Sequence, residues 1–386
     1  MLQYLLRNAG YDHLLLYGYE YPHWKRLRSC VHATAAVWLS TMGLVILGIL
    51  PRAASAISDP ETRVLRAVDK VLDEWFVTGL HRAGAKKFIQ EKICKGNNEE
   101  CLRARQWLLL RMNGRIWEHG IPLMCRSAEN VPGLRSLPVW PRQETPWLEA
   151  VEAWHERILS ELMAVRAASE RSGFQPYRDP AGSSSARKPA DGLGVEGVDR
   201  GMWNVLYLFL NHKRFEDNCA RFPSTVAAIQ EAFPRHYSHA FVSALTPGSH
   251  IVKHHGPSNR MLRVWLPLCG FEGFRLRVGD QILEPKAGHA FVWDHSYEHE
   301  AWHEGTETRL VLIVDIWHPD LRDAEVKFLG TLQSCRLRAG KTLAEMEERS
   351  LEEATYFEIV EKARSLLTDD DWWVVKAQRD PTIPPT

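Results

Sequence analysis

The chain has 386 residues, of which 45% are hydrophobic and 25% charged, an ordinary mixture for a globular protein with a substantial core. Lys plus Arg and Asp plus Glu each number 48, so the formal net charge is zero. The protein is therefore not strongly basic, and this excludes binding to nucleic acid through an overall positive charge.

The first feature along the chain is an uncharged apolar segment, Val31–Leu50, which follows three basic residues at positions 25, 26 and 28. At about 1.5 Å per residue, a helix of this length just spans a hydrocarbon core of about 30 Å. We therefore predict a single-pass signal anchor over 31–50, a cytosolic segment over 1–30, and the remaining chain in the lumen of the endoplasmic reticulum or secretory pathway. A cleaved signal peptide, with a site at Ala54-Ser55-Ala56, and a buried core helix are the alternatives.

The seven cysteines include no CxxC pair, which argues against a zinc ribbon or a thioredoxin-like redox site. Cys94 and Cys101 flank a short polar stretch. In a lumenal protein these two could form a local disulfide, and two buried free thiols are the alternative.

Helical patterns flank the middle of the chain. Apolar residues recur at helical spacing within 57–125, which predicts a helical stem. After the Pro-rich passage 137–141, an amphipathic helix is predicted from one apolar face, formed by Trp147, Val151, Trp154, Ile158, Leu162 and Val165. A helical C-terminal tail is predicted over 336–386.

From Met202 onward the pattern changes to short apolar or alternating runs separated by Gly and Pro. The runs cover 203–210, 240–245, 262–268, 274–278, 289–293 and 309–317. Many short strands between turn residues predict a mainly β sandwich or barrel rather than a βαβ fold. We predict that this domain covers about 135–335.

Eight of the 17 histidines lie between positions 243 and 319. Histidine is a common ligand of divalent iron, copper and zinc. His254 and His299 stand 45 residues apart with several predicted strands between them. In a jelly roll, inward-facing residues of strands that are distant in sequence can reach the same point, so these two could share a metal ion. The other six are interpreted as structural or surface residues.

Arg309 begins the apolar run 310–314. A guanidinium at the start of a buried strand needs an anionic partner, because an unpaired buried charge is costly. It is also the side chain best suited to bind a carboxylate through two hydrogen bonds. Two histidines and this arginine could therefore hold a metal and a dicarboxylate.

With these residues in view, the stretch Ser243–Pro319 resembles the aspartyl/asparaginyl β-hydroxylase family of 2-oxoglutarate oxygenases. The similar segments are Pro247-Gly248-Ser249-His250, His254-His255-Gly256-Pro257-Ser258-Asn259, Leu262-Arg263, Phe291-Val292-Trp293-Asp294, Glu298-His299-Glu300-Ala301-Trp302 and Arg309–Pro319. A further match, Asn211–Pro223, extends the resemblance to about 200–320, with a weaker one reaching back to about residue 137.

The resemblance implies a double-stranded β-helix (jelly roll) as catalytic domain, with flanking helices, and Fe(II) and 2-oxoglutarate as cofactors. By the same resemblance, His254 and His299 are the iron ligands. Gly256 stands where related oxygenases carry the carboxylate of a third ligand, and water takes that coordination position.

The resemblance also assigns the cosubstrate contacts. Arg309 is similar to the residue that binds the distal carboxylate of 2-oxoglutarate, with Ser243 beside it. Arg263 is similar to an arginine that faces the carboxylates of cosubstrate and substrate. Two residues depart from the family pattern: Trp265 replaces a histidine that touches 2-oxoglutarate in many members, and Met261 replaces a substrate-binding arginine of the peptide hydroxylases.

The resemblance therefore implies a dioxygenase that hydroxylates the β-carbon of Asp or Asn in a protein of the secretory pathway. A lipid acyl-chain hydroxylase of the same family is the first alternative, since the anchor and Met261 would suit an acyl chain. A non-catalytic jelly-roll binding protein is the second. A zinc hydrolase is disfavoured, because no third ligand or glutamate base is evident from the spacing.

Overall fold

A computed structural model of the protein describes residues 59–75, 77–95, 98–168, 172–179, 185–346, 356–366 and 372–373. The predicted cytosolic segment 1–30 and the predicted anchor 31–50 lie outside these residues. Within the described ranges, no helix combines the length and the apolar character needed to cross a bilayer. The chain divides into two compact units, one of residues 1–116 with 331–339 and one of residues 117–330 with 340–386.

The first unit is helical. Its elements are α1 (Pro60–Glu74), α2 (Gly79–Ile89), a π-helical turn (Gln90–Cys94), a 3-10 turn (Asn98–Cys101) and α3 (Leu102–Met112). Helix α1 begins where the sequence supplies a cap, because the Asp59 carboxylate accepts the Thr62 backbone N–H at 3.0 Å and Pro60 occupies the first turn. Cys94 and Cys101 are free thiols, which is the alternative to the local disulfide.

The second unit combines helices with two β-sheets. A 3-10 turn (Arg142–Glu144) precedes its helices, which are α4 (Leu148–Glu152), α5 (His155–Ala168), α6 (Glu216–Arg221) and α7 (Pro223–Ala232). Helix α8 (Asp323–Met346) contributes residues to both units, and α9 (Tyr356–Arg364) follows it. The strands are β1 (Gln175–Pro176), β2 (Val198–Arg200), β3 (Trp203–Leu210), β4 (Lys213–Arg214), β5 (His236–Leu245), β6 (Ser249–His254), β7 (Met261–Cys269), β8 (Phe274–Val278), β9 (Gln281–Leu283), β10 (Phe291–Trp293), β11 (His299–His303) and β12 (Arg309–Trp317).

All strand pairs of the two sheets are antiparallel. The larger sheet has the order β1-β3-β5-β12-β7-β10, with β4 on β3, and the smaller has the order β2-β6-β11-β8-β9. From β5 onward the chain alternates between the sheets: β5, β7, β10 and β12 lie in the larger, and β6, β8 with β9, and β11 in the smaller. This alternation is a double-stranded β-helix. The predicted mainly β fold with flanking helices is confirmed.

Strand β12 shows how the sequence pattern builds the two layers. Side chains alternate along a strand, so Leu312 and Val314 face outward, where they join a core cluster with helix residues such as Ile158 and Ile229. Val311 and Ile313 face inward and belong to the cluster between the sheets. Because both faces are covered, all nine residues of β12 are buried, including its charged members.

Candidate active site

The two predicted metal ligands are neighbours in the structure. Strand β6 ends at His254, directly before the Gly256-Pro257 turn, and β11 begins at His299. The antiparallel register of these strands pairs His299 with His254. The centroids of the two imidazole rings lie 4.1 Å apart, with 58° between the ring planes. Residues 45 positions apart in the chain thus present their rings at one place.

Both rings are oriented by a hydrogen bond to their own backbone. Nδ1 of His254 lies 2.8 Å from the Val252 carbonyl oxygen, and Nδ1 of His299 lies 2.8 Å from the Tyr297 carbonyl oxygen. A carbonyl oxygen can only accept, so Nδ1 is the protonated nitrogen and the lone pair of each neutral ring is on Nε2. Metal-binding histidines usually make a hydrogen bond of this kind through the ring nitrogen that does not bind the metal, and it fixes their tautomer.

Burial also fixes the charge state of the pair. Loss of hydration lowers the pKa of His254 below its ordinary value of 6.5, and it lowers the pKa of His299 further, with the neighbouring His254 as the next cause. Both imidazoles are therefore neutral at neutral pH. The neutral ring is the form that binds a metal ion.

Arg309 is a buried cation at the start of β12. Its side chain has no exposed surface, and its Nη1 donates to the carbonyl oxygen and the hydroxyl of Ser243, both at 3.2 Å. Its guanidinium carbon lies 4.8 Å from the Phe274 ring centroid and 5.4 Å from that of Trp265. Among the described residues its Nε has no hydrogen-bond partner and no carboxylate pairs with it. Burial lowers the pKa of Arg309 to about 9, so the side chain is still cationic at neutral pH.

Ser243 and Trp265 both contact Arg309, and aromatic contacts lead from Trp265 through Trp293 to His299. The Ser243 hydroxyl accepts the indole N–H of Trp203 at 2.9 Å as well as the arginine contact. The buried Trp265 packs edge to face on Trp293 at 5.7 Å, and Trp293 packs on His299 at 4.8 Å. Within the described ranges, neither Trp265 nor Trp293 has an acceptor for its indole N–H. The Trp265 and Trp293 rings therefore form an apolar surface, and each has an indole N–H that could donate a hydrogen bond.

Arg263 has a different environment from Arg309. Its Nε and Nη2 donate to the two carboxylate oxygens of Asp315 at 2.8 and 3.0 Å, and His239 Nδ1 lies 3.0 Å from the same carboxylate. Burial alone would raise the pKa of Asp315, but Arg263 and His239 outweigh it and hold this pKa far below its usual range. One edge of the Arg263 guanidinium is thus committed to Asp315. Met261, on the same strand, is buried at 6% exposure.

Sequence reasoning missed His295. Of the histidines interpreted as structural, His318 fits that interpretation, because both of its ring nitrogens are hydrogen bonded. His295 is equally buried, but neither of its ring nitrogens has a partner among the described residues. A Cβ atom built on Gly256 would lie only 1.9 Å from its Cδ2. The sequence did contain one signal for His295: a glycine occupies the third-ligand position, 256, and an extra histidine lies near His299.

The donor set fits Fe(II) and 2-oxoglutarate. Two neutral imidazoles with fixed tautomers suit a divalent metal that keeps other positions for oxygen ligands, and the unpaired Arg309 suits a carboxylate. In the part of the chain that the structure describes, no group of three or more His, Cys, Asp or Glu residues could hold a metal ion. The protein contribution visible here is therefore the histidine pair.

Comparison with known proteins shows which family the β-sheet region resembles. A family model described as aspartyl/asparaginyl beta-hydroxylase matches residues 152–319. Human aspartyl/asparaginyl beta-hydroxylase is 29% identical over 54% of this chain and 26% of its own length. The aspartate beta-hydroxylase domain-containing protein 2 of Xenopus tropicalis is 29% identical over 52% of this chain and 53% of its own. The ornithine lipid ester-linked acyl 2-hydroxylase of Rhizobium tropici is 31% identical over 47% of this chain and 61% of its own.

The matches thus span about a quarter of the human relative, about half of the Xenopus protein and about three fifths of the bacterial one. The matched segment includes strands β2–β12, and with them the histidine pair and Arg309. Residues 152–319 of this chain match the model of the aspartyl/asparaginyl β-hydroxylase family.

Proposed function

We propose that this chain is an Fe(II)- and 2-oxoglutarate-dependent dioxygenase that hydroxylates the β-carbon of an Asp or Asn residue in a protein substrate. One observation carries the proposal: His254 and His299 lie side by side, and each Nδ1 lies within hydrogen-bond distance of a backbone carbonyl oxygen. The buried Arg309, which has no carboxylate partner in the described structure, is linked to His299 through the rings of Trp265 and Trp293. The match of residues 152–319 to the family model gives independent support.

In this proposal His254 and His299 hold Fe(II) through Nε2, and the backbone contacts keep both rings in the binding tautomer. Arg309 holds the distal carboxylate of 2-oxoglutarate, and the Ser243 hydroxyl fixes the guanidinium through its contact to Nη1. Trp265 and Trp293 keep water away from the space between them. When bound, Fe(II) and 2-oxoglutarate supply the oxidation, in which O2 hydroxylates the C–H bond and 2-oxoglutarate leaves as succinate and CO2.

In this proposal Arg263 faces the carboxylates of cosubstrate and substrate. Asp315 orients its guanidinium through two hydrogen bonds, so the cation is held in a fixed position with its charge largely compensated. We therefore expect Arg263 to contribute less to 2-oxoglutarate affinity than the uncompensated Arg309.

A lipid acyl chain is the second candidate substrate. Met261 gives a buried apolar side chain at the position where peptide hydroxylases carry a basic one, and the relative from Rhizobium tropici is named as an acyl 2-hydroxylase. Both features favour an apolar substrate over an acidic peptide at that position. The two candidates share the same iron chemistry.

The predicted domain organisation completes the proposal. The oxygenase domain covers about 135–335, the helical stem 57–125 and the C-terminal tail 336–386. The segment 31–50 anchors the chain as a single-pass membrane protein, with the catalytic domain in the endoplasmic reticulum or secretory pathway.

The test is anaerobic loading with Fe(II) and 2-oxoglutarate, followed by O2 and a succinate assay on the wild type and His299→Ala. Candidate acidic peptides are offered first and lipids with hydroxylatable acyl chains second. We expect succinate above background only in the wild type, and the substrate that increases it identifies the class. No succinate from any Fe(II)-loaded wild-type sample would refute the enzyme and favour a non-catalytic binding protein.

A further inference from the structure

His295 is a fully buried polar side chain without any polar contact in the described structure. It is 2% exposed, and neither Nδ1 nor Nε2 has a hydrogen-bond partner among the described residues. Buried imidazoles normally satisfy at least one ring nitrogen, because an unsatisfied polar group away from water is costly. The position therefore calls for a polar group that the described residues do not provide.

The ring of His295 fills the space next to Gly256. The Gly256 backbone N–H donates to the His295 carbonyl oxygen at 2.7 Å, which holds the two backbones together. A Cβ atom on Gly256 would lie 1.9 Å from Cδ2 and 2.6 Å from Nε2 of His295. No side chain, and so no third carboxylate ligand, fits at position 256 while His295 keeps its place.

The charged and titratable groups that act on His295 define its location. Arg263, Asp315 and His239 interact with it from the larger sheet, and His254 from the smaller sheet. His299 in turn is influenced by His295. His295 is therefore within electrostatic range of the histidine pair and of the Arg263–Asp315 ion pair, and its ring fills the space beside Gly256.

We propose that His295 is a positioning residue that hydrogen-bonds a water molecule in the coordination position that Gly256 leaves without a protein ligand. This inference rests on the proposed function, since it assumes a metal on His254 and His299. His295 is not proposed to bind the metal directly, because in the described chain no group of three or more His, Cys, Asp or Glu residues could hold a metal ion. A neutral imidazole has one donor and one acceptor nitrogen, so it can accept from or donate to that water.

The test is Co(II) binding to the purified full-length chain, followed by calorimetry and by the visible absorption of the bound ion. His295→Phe keeps a ring of similar size and removes both nitrogens, whereas His295→Asn keeps a hydrogen-bonding group. His303→Phe, a buried histidine at the other end of β11, is the matched control, and thermal unfolding confirms that each variant is folded.

We expect His295→Phe to weaken Co(II) binding by about 10- to 100-fold, the usual effect of removing a residue that orients a metal's ligands. It should also change the visible spectrum, while His295→Asn recovers most of the affinity and His303→Phe behaves as the wild type. Wild-type affinity and spectrum in a folded His295→Phe variant would overturn the assignment.

Two further results separate this inference from the proposed function. Loss of Co(II) binding in His299→Ala together with unchanged binding in His295→Phe would refute only the role of His295. Absence of Co(II) binding in the wild type would refute the metal site itself. Pulsed EPR on the Cu(II) form should count two directly bound imidazoles, and a count of three would overturn the water-mediated arrangement.

Discussion

At the scale of single residues, Arg309 has the clearest energetic signature. A buried guanidinium without a carboxylate partner in the described structure is unfavourable in the absence of cosubstrate. Arg309→Met removes this charge and keeps an apolar chain against Phe274 and Trp265. When no 2-oxoglutarate is present, we expect the free energy of unfolding of this variant to be about 1–3 kcal/mol higher than that of the wild type, so that the variant is more stable. Urea denaturation measures this difference.

The same substitution should greatly reduce the response to cosubstrate. With Mn(II) present, 2-oxoglutarate at about 100 times the wild-type Kd should stabilise the wild type by about 2.7 kcal/mol and Arg309→Met by no more than about 0.9 kcal/mol. Arg309→Leu serves as a second apolar control. A variant that is much less stable than the wild type without 2-oxoglutarate would mean that Arg309 has a structural role instead.

Asp294 gives a pH-dependent prediction of known sign. It is fully buried, its Oδ2 has no partner among the described residues, and burial raises its pKa from 3.8 to about 7. Between these values the folded state binds more protons than the unfolded state, so this residue makes the protein less stable as the pH rises. Asp294→Asn cannot ionise and should escape this loss.

The stability advantage of Asp294→Asn over the wild type should therefore grow from about pH 4 to about pH 7, by up to about 1.4 kcal/mol per unit, and then level off. Chemical denaturation at pH 5, 6, 7 and 8 measures it. Asp320→Asn cannot serve as the control. Burial would raise the pKa of Asp320, but hydrogen bonds with Arg135 outweigh burial and lower it, which is the opposite of the shift in Asp294. A constant difference over this range would contradict a raised pKa for Asp294.

At the scale of elements, the turn after β6 and the loop before β11 must fit each other. Gly256→Ala places a methyl group on the ring of His295, and overpacking of this kind costs about 1–3 kcal/mol. Gly330→Ala, in helix α8, is the matched control, since its Cβ would meet only Trp317 at an ordinary 3.7 Å. We expect the first variant to be destabilised and the second to be neutral or slightly stabilised.

A double variant tests the cause of that destabilisation. Gly256→Ala with His295→Ala has room for the new methyl group, so the two changes should not add, with an interaction energy of about 0.5–3 kcal/mol. Thermal or urea unfolding of the four proteins measures it. Simple additivity would show that the strain at Gly256 does not come from the His295 ring.

The elements show why part of the fold could be predicted from the sequence. The short runs between glycines and prolines placed strands near 203–210, 262–268, 274–278 and 309–317, because alternation and turn residues are local signals. Pairing is not local. The register that sets His299 against His254 depends on two strands 45 residues apart, so the spacing alone could only make that contact possible.

The site was predictable to a similar extent. Arg309 was predicted to need an anion because it begins an apolar run, and the structure leaves it without a carboxylate partner among the described residues. The ion pair between Arg263 and Asp315 could not be predicted from the sequence. It forms because β7 and β12 are adjacent and their register sets these two residues opposite each other. His295 was missed because its significance comes from the space beside Gly256, which only a three-dimensional arrangement reveals.

At the scale of the whole molecule, the predicted anchor 31–50 can be tested by membrane extraction. The full-length chain should remain with membranes after extraction with alkaline carbonate, and deletion of 31–50 should release it. A mature protein that begins shortly after Ala56, determined by N-terminal sequencing, would instead establish a cleaved signal peptide.

The central claim is that two histidines and one arginine assemble a site for Fe(II) and 2-oxoglutarate. Anaerobic titration of 2-oxoglutarate into the Fe(II)-loaded chain, followed by visible absorption, tests it most directly. The wild type should give a saturable band, His299→Ala should give none, and Arg309→Met should weaken binding by roughly 2–5 kcal/mol, about 30-fold or more. Equal bands at equal concentrations in all three proteins would contradict it.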